Sequence, residues 1–120
     1  MNYREEFASL LEVLPNDLIM SFATKLVSVI ENKGTIFVCG NGGSATTAEH
    51  FATDLSKGVA TKISKSVRVT SLVSNLGLIT AISNDFDYSQ VFSLQIEGVI
   101  KKEDVLFCIS ASGMSRNLLT

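Results

Sequence analysis

The stretch TIFVCGNGGSATTAEHFATDL, residues 35–55, constrains this chain more than any other. A short run of β-branched and aromatic residues gives way at once to glycines and a serine, and then to a helical pattern. A strand that turns through glycine straight into a helix is half of a β–α–β unit, so it calls for further parallel strands beside it. At such a turn the N–H groups of the helix start are unsatisfied and carry the positive end of the helix dipole. The turn therefore suits an anion or a sugar oxygen, and its glycines let the ligand approach the backbone. Gly40, Gly42 and Ala45 also fit the G-x-G-x-x-A form of the dinucleotide fingerprint. That reading wants an acid at the end of the second strand to hold a ribose, and the chain has Val73, Ser74 and Asn75 there.

The rest of the chain alternates in the way the unit demands. Phe7, Leu10, Leu11 and Leu14 follow helical spacing and stop at Pro15. Asn16 is placed to cap a second helix, whose apolar positions Leu18, Ile19, Phe22, Leu26, Val29 and Ile30 form a stripe too broad for a lone surface helix. The glycine-turn helix is expected to run to about Lys57, with Gly58 just past its end. Residues 67–73 read as a second strand, 76–83 and 89–100 as helices, and 104–109 as a third strand. The fold class is α/β with a parallel sheet, divided into N-terminal helices over 1–33 and a partial α/β domain over 34–120. The final segment, SGMSRNLLT, opens a helix and stops after about a turn and a half, so the sequence is expected to end inside its domain.

Composition excludes several classes. Hydrophobic content of 46% supports a core, and a net charge of −2 without a run of basic residues argues against a nucleic-acid footprint. The amino terminus MNYREEFASL is acidic where a signal peptide is basic, and no apolar run reaches the roughly 18 residues of a membrane span, which predicts a cytoplasmic protein. Cys39 and Cys108 lie far apart in apolar runs, so they read as reduced core thiols rather than a disulfide or a metal pair.

A second loop, SASGMSRN at 110–117, places Ser110, Ser112 and Ser115 around Gly113 at another helix start. Three hydroxyls with backbone donors make a cradle for phosphate that needs no lysine or arginine. On the helix after the first turn, His50 and Asp54 share a face with Thr46, while Ala48, Phe51, Ala52 and Leu55 face the core, so the polar stripe is free to point into a cleft.

The segments GNGGSATTAEHFATDL, TAISNDFDYSQVFSLQI and DVLFCISASGMSRNLL, in this order and spacing, resemble the sugar isomerase (SIS) domain family. The similarity is greatest to its members that interconvert sedoheptulose 7-phosphate and D-glycero-D-manno-heptose 7-phosphate. The resemblance implies a flavodoxin-like sheet with flanking helices and a homotetramer packed through the N-terminal helices, with active sites shared between subunits. It implies phosphate binding by Ser44, Ser110, Ser112 and Ser115, and sugar contacts from Asn41, Gly42 and Asn75. It implies a metal-binding histidine at His50, zinc in some members, with Asp54 as a second ligand, and a catalytic base at Asp54, where the family has glutamate. Three departures stand out: Asp54 is one methylene shorter than glutamate, Asn75 replaces an aspartate, and Ala111 replaces a hydroxyl residue. The family's C-terminal section, with a second catalytic histidine and a glutamine, lies beyond residue 120, so the 120 residues alone are expected to be inactive. A non-catalytic SIS protein that binds a phosphosugar or a replication initiator is the alternative. The chemistry fits the groups: moving a carbonyl between C2 and C1 needs a base for a carbon-bound proton, a group for the hydroxyl protons, and stabilisation of an enediolate.

Overall fold

In strand β1 (Thr35–Gly40) the apolar residues alternate between two covered faces. Ile36 packs with Leu26, Val29 and Leu55 on one side, and Phe37 and Cys39 pack with Leu72, Ile82, Val91 and Phe92 on the other. A strand buried on both faces is what a helix–sheet–helix sandwich requires. In the computed structural model, which describes residues 2–120, β1 is the centre of a parallel three-stranded sheet of order β2-β1-β3, with β2 at Arg68–Ser71 and β3 at Val105–Ile109. This is the order of the first three strands of a flavodoxin-like sheet.

Helix α1 (Tyr3–Glu12) opens with a capping box in which Asn2 and Glu5 satisfy each other's backbone N–H groups. None of its residues is buried. Helix α2 (Asn16–Glu31) meets α1 at a 63° bend and docks on the sheet through Leu26 and Val29. Leu18, Ile19 and Met20 remain exposed. Asn16 does not cap α2: the Ile19 N–H bonds to the Pro15 carbonyl at 3.0 Å, so Pro15 takes the cap site and Asn16 is the first helical residue. No single helix among the described residues is long and apolar enough to cross a membrane.

The glycine-turn helix is longer than its sequence suggests. Helix α3 (Gly43–Thr53) runs without a stop into a π-helical turn, Asp54–Val59, and on into α4 (Ala60–Ile63). Gly58 therefore lies inside the helical run, and the left-handed residue that ends it is Ser64, at φ 52°. The π turn keeps Leu55 and Val59 on the core side, which holds the chain helical past the point where a glycine would have stopped it. Phe107 of β3 packs at a tilt against Phe22 of α2 and edge-on against Phe51 of α3, at centroid distances of 4.7 and 5.1 Å, and joins both helices to the sheet.

The return connection covers the opposite face. Helix α5 (Leu76–Asp85) is capped by the Asn75 side chain, which accepts from the Leu78 N–H at 3.0 Å. The segment expected to be one helix over 89–100 is instead a 3₁₀ turn at Tyr88–Gln90 followed by the short α6 (Ser93–Ile96). The Asp87 carboxylate accepts from the Ser89 N–H at 2.8 Å and opens the 3₁₀ turn, Val91 and Phe92 are both drawn into the core, and Gly98 at φ 72° ends the run. Asp104 fixes the lower end of β1. Its carboxylate accepts from the N–H of Thr35 and of Lys101, both at 2.7 Å, and these bonds hold its carboxyl below the ordinary range.

Cys39 and Cys108 prove to be register partners, with their sulfurs 3.6 Å apart and both thiols free. Burial, with Cys108 beside it, pushes the Cys39 thiol far up. Cys108 is exposed rather than part of the core, because that face of β3 is left uncovered.

Candidate active site

The chain crosses from β1 to β2 over one face of the sheet and from β2 to β3 over the other. The loops leaving β1 and β3 therefore diverge, and a crevice opens between the C-terminal ends of these strands. It is a cleft of about 200 Å³ lined by Asn41, Ser44, Ser110, Ala111, Ser112 and Ser115, which unites the two loops singled out in the sequence.

Each loop has a local reason for its shape. Gly42, at φ 53° and ψ −122°, adopts a conformation that side chains disfavour, and this lets the Ser44 N–H turn back to the Asn41 carbonyl at 2.9 Å. Gly40 gives α3 room: a Cβ there would lie 2.7 Å from the Ser44 carbonyl oxygen. In the second loop, Ser110 Oγ accepts from the Gly113 N–H at 2.9 Å and Ser112 Oγ accepts from the Met114 N–H at 3.2 Å, around Gly113 at φ 65°. These bonds leave both hydroxyl protons available to a ligand oxygen. Ser115 precedes α7 (Arg116–Leu119) and makes no capping bond.

Two residues that the sequence reading did not assign hold Asn41 in place. The Asn41 and Asn117 carboxamides pair reciprocally, with both N–H···O distances 2.8 Å, and the Tyr88 hydroxyl donates to the same Asn41 oxygen at 2.8 Å. Asn117 is only 5% exposed. With Asp87, Arg116 and Ser115, these residues line an adjoining hollow of about 440 Å³. There the Ser89 hydroxyl and N–H hold the Asp87 carboxyl below its ordinary range. Replacing Asn117 with alanine strands the Asn41 amide, and should lower stability by about 1–3 kcal/mol. Urea unfolding measures that loss, and a wild-type midpoint would show the amide pair to be energetically idle.

His50 and Asp54 stand elsewhere. Their side chains, 77% and 69% exposed, meet as an i, i+4 pair at 3.4 Å on the outer face of the helical run, opposite buried Ala48 and Leu55. They line neither of the two hollows at the top of the sheet. Ten residues separate Ser44 from Asp54, which is about 15 Å along the helix axis and about 80° around it. The expected polar stripe is thus real, but it faces away from the serine cleft and its adjoining hollow. Asn75 is engaged as the α5 cap and also lines neither hollow. Next to His50, Glu49 accepts a short hydrogen bond from the Ser71 hydroxyl, tying α3 to β2.

Zinc takes three or four protein ligands, and His50 with Asp54 supplies two. No group of three His, Cys, Asp or Glu side chains among the described residues is placed to hold a metal, so this donor set does not form a zinc centre.

Comparison with known proteins gives a consistent picture. The model of the SIS domain family matches residues 2–120. A phosphoheptose isomerase of Helicobacter pylori strain P12 is 40% identical over 117 residues, covering 98% of this chain and 60% of the relative. A probable phosphoheptose isomerase of Thermoplasma acidophilum is also 40% identical over 117 residues, covering 98% of this chain and 64% of the relative. Among solved structures, the phosphoheptose isomerase GmhA of Neisseria gonorrhoeae superposes with a TM-score of 0.77 at 29% identity, over 98% of this chain and 66% of that one. One from Francisella tularensis gives 0.79 at 29% identity, over 99% and 67%. The chain thus spans about 60% of the length of these two curated relatives.

Proposed function

This chain belongs to the SIS domain family, and on that premise we propose that it is the phosphosugar-binding part of a ketose–aldose isomerase acting on sedoheptulose 7-phosphate. The observation that carries the reading is the meeting of the Ser44, Ser110, Ser112 and Ser115 side chains with Asn41 in one cleft at the switch point of the sheet. No cation lines that cleft, so the phosphate is held by hydroxyl and backbone donors, and the Asn41 amide contacts the sugar. Anchoring the phosphate end fixes the carbons that react at the other end.

Asp54 is the proposed base that takes the carbon-bound proton, and the hydroxyl protons fall to the second acid–base group that the family resemblance implies. Because the pair and the serine cleft face different directions, the site is completed by another copy of the chain and by the second acid–base group that the family resemblance implies. Association through α1 and α2 suits that arrangement. Phe7, Leu10, Leu11, Leu14, Leu18 and Ile19 are all about half exposed or more, an apolar surface larger than monomers ordinarily leave in water. Light scattering should find a tetramer, and a clean monomer at micromolar concentration would rule this association out. Zinc is left out of the proposed steps, since the donors present do not make a site for it.

Binding is the direct test. Calorimetric titration with sedoheptulose 7-phosphate should give saturable binding that Ser112→Ala weakens by about 10–150-fold, the loss of a hydrogen bond to a charged group. Equal affinity in a folded Ser112→Ala variant would take the serine loop out of the reading. The non-catalytic alternative is separated from it by turnover: binding without isomerisation, once the second acid–base group is supplied, would favour a binding module.

A further inference from the structure

We propose that the opposite end of the sheet carries a second anion site, which takes a small ligand bearing two or more phosphates. A cleft of about 470 Å³ lies below β1 and β2, lined by Ile30, Glu31, Lys33, Gly34, Lys65, Ser66 and Arg68. Its three cations come from separate segments: Lys33 from the turn between α2 and β1, Lys65 from the turn after α4, and Arg68 from the first residue of β2. The sequence contains no basic run, and only folding brings these charges together.

The arrangement is held by the backbone. Lys33 sits at φ 57°, between an N–H bonded to the Ile30 carbonyl at 3.1 Å and the Gly34 N–H bonded to the Val29 carbonyl at 2.9 Å. The Lys33 carbonyl accepts from the Arg68 guanidinium at 3.3 Å, which orients Arg68 and leaves its other N–H groups free. An adjoining hollow of about 280 Å³ shares Lys33, Gly34 and Arg68 and adds Lys101.

No carboxylate lies within 4.0 Å of these cations among the described residues, and Asp104 couples to Lys101 and Arg68 only from farther away. His50 and Asp54 form the one ion pair within 4.0 Å among the described residues. Glu31 is the one carboxylate on the larger cleft. In the adjoining hollow Asp104 is taken up by the Thr35 and Lys101 N–H groups, and Glu103 is the other acid. Three cations against one carboxylate give the larger cleft a lining of +2 in a chain whose net charge is −2. Gathering more cations than acids in a concave site is unfavourable through mutual repulsion, and an anion with several charges relieves it. A concave shape fits a small polyanion better than an extended one.

Inorganic pyrophosphate is the probe, titrated at low ionic strength into the ¹⁵N-labelled chain and followed by calorimetry. Saturable binding is expected, with amide shifts centred on Lys33, Gly34, Lys65 and Ser66. Arg68→Gln and Lys65→Ala should each weaken it about tenfold or more. Added salt should weaken it further. Lys65 is exposed and its side chain makes no hydrogen bond, so Lys65→Ala tests the site even if Arg68→Gln disturbs β2. Amide shifts at Ser110, Ser112 and Gly113 would report pyrophosphate in the serine cleft, so the two sites are read apart residue by residue. Absence of saturable binding, wild-type affinity in both cation variants, or amide shifts confined to residues 110–115 would each overturn the proposal.

Discussion

Replacing Gly40 with alanine should destabilise the fold by about 1–3 kcal/mol, and should abolish phosphosugar binding in whatever fraction stays folded. The added Cβ would meet the Ser44 carbonyl oxygen at 2.7 Å, its carbonyl carbon at 2.8 Å and its Cβ at 2.9 Å. Two of these three atoms are backbone, so relief requires moving the first turn of α3 away from β1 rather than swinging a side chain. That turn carries Ser44 and follows Asn41, so a shift of a few tenths of an ångström opens the cleft as it loosens the packing of Ala48 beneath. Gly43→Ala is the control: nothing lies within 4 Å of its added Cβ and its φ is not in the positive range. It should be neutral or slightly stabilising, as alanine is in a helix. Urea unfolding and calorimetry with sedoheptulose 7-phosphate measure both effects. A Gly40→Ala protein as stable and as tight-binding as wild type would show that α3 is not held against β1 as described.

Asp54→Asn should remove isomerase activity by about 10²–10⁴-fold in kcat, while Asp54→Glu should retain or raise it. Both belong in the chain joined to the C-terminal section of a full-length SIS relative, so that a second acid–base group is present. A carboxylate acts as base only when it comes within about 3 Å of the proton it takes, and a misplacement of about 1 Å costs on the order of a hundredfold. Aspartate is a methylene shorter than the glutamate the resemblance implies, so glutamate at 54 restores reach, whereas asparagine keeps the shape and loses the base. Asp54 is 69% exposed, with only His50 as an ion partner, so neither substitution should disturb the core, and unfolding midpoints should match wild type. Turnover followed by NMR of the heptose phosphate is the readout, with almost none expected from the 120 residues alone. Full activity in Asp54→Asn would remove Asp54 from the chemistry, and robust turnover by those residues would show that the catalytic pair is wrongly placed.

Much of the site could be read from local pattern. Glycines between a strand and a helix, and serines around Gly113, announce backbone turns with free donors, because left-handed φ values and hydroxyl turns are decided within a few residues. The helical face bearing His50 and Asp54 also followed from spacing alone. Local reading failed where tertiary packing overrides it. Gly58 looked like a helix end, yet Leu55 and Val59 against the core carry the helix onward through a π turn. Residues 89–100 looked helical, yet Val91 and Phe92 are both drawn into the core and the helix breaks.

The chain's own order of residues thus determined the α/β class, the parallel sheet and the two ligand loops, since periodicity and turn chemistry act over short distances. Tertiary structure alone decided which distant groups meet. Asn41 pairs with Asn117, 76 residues away, and Cys39 lies beside Cys108, 69 residues away. Lys33, Lys65 and Arg68 converge on one cleft, while the serine loop and the His50–Asp54 pair end up on different faces. Strand register and the side on which each crossover passes set these meetings. Both are fixed by burying apolar faces across the whole sheet, a condition that no short stretch of sequence contains.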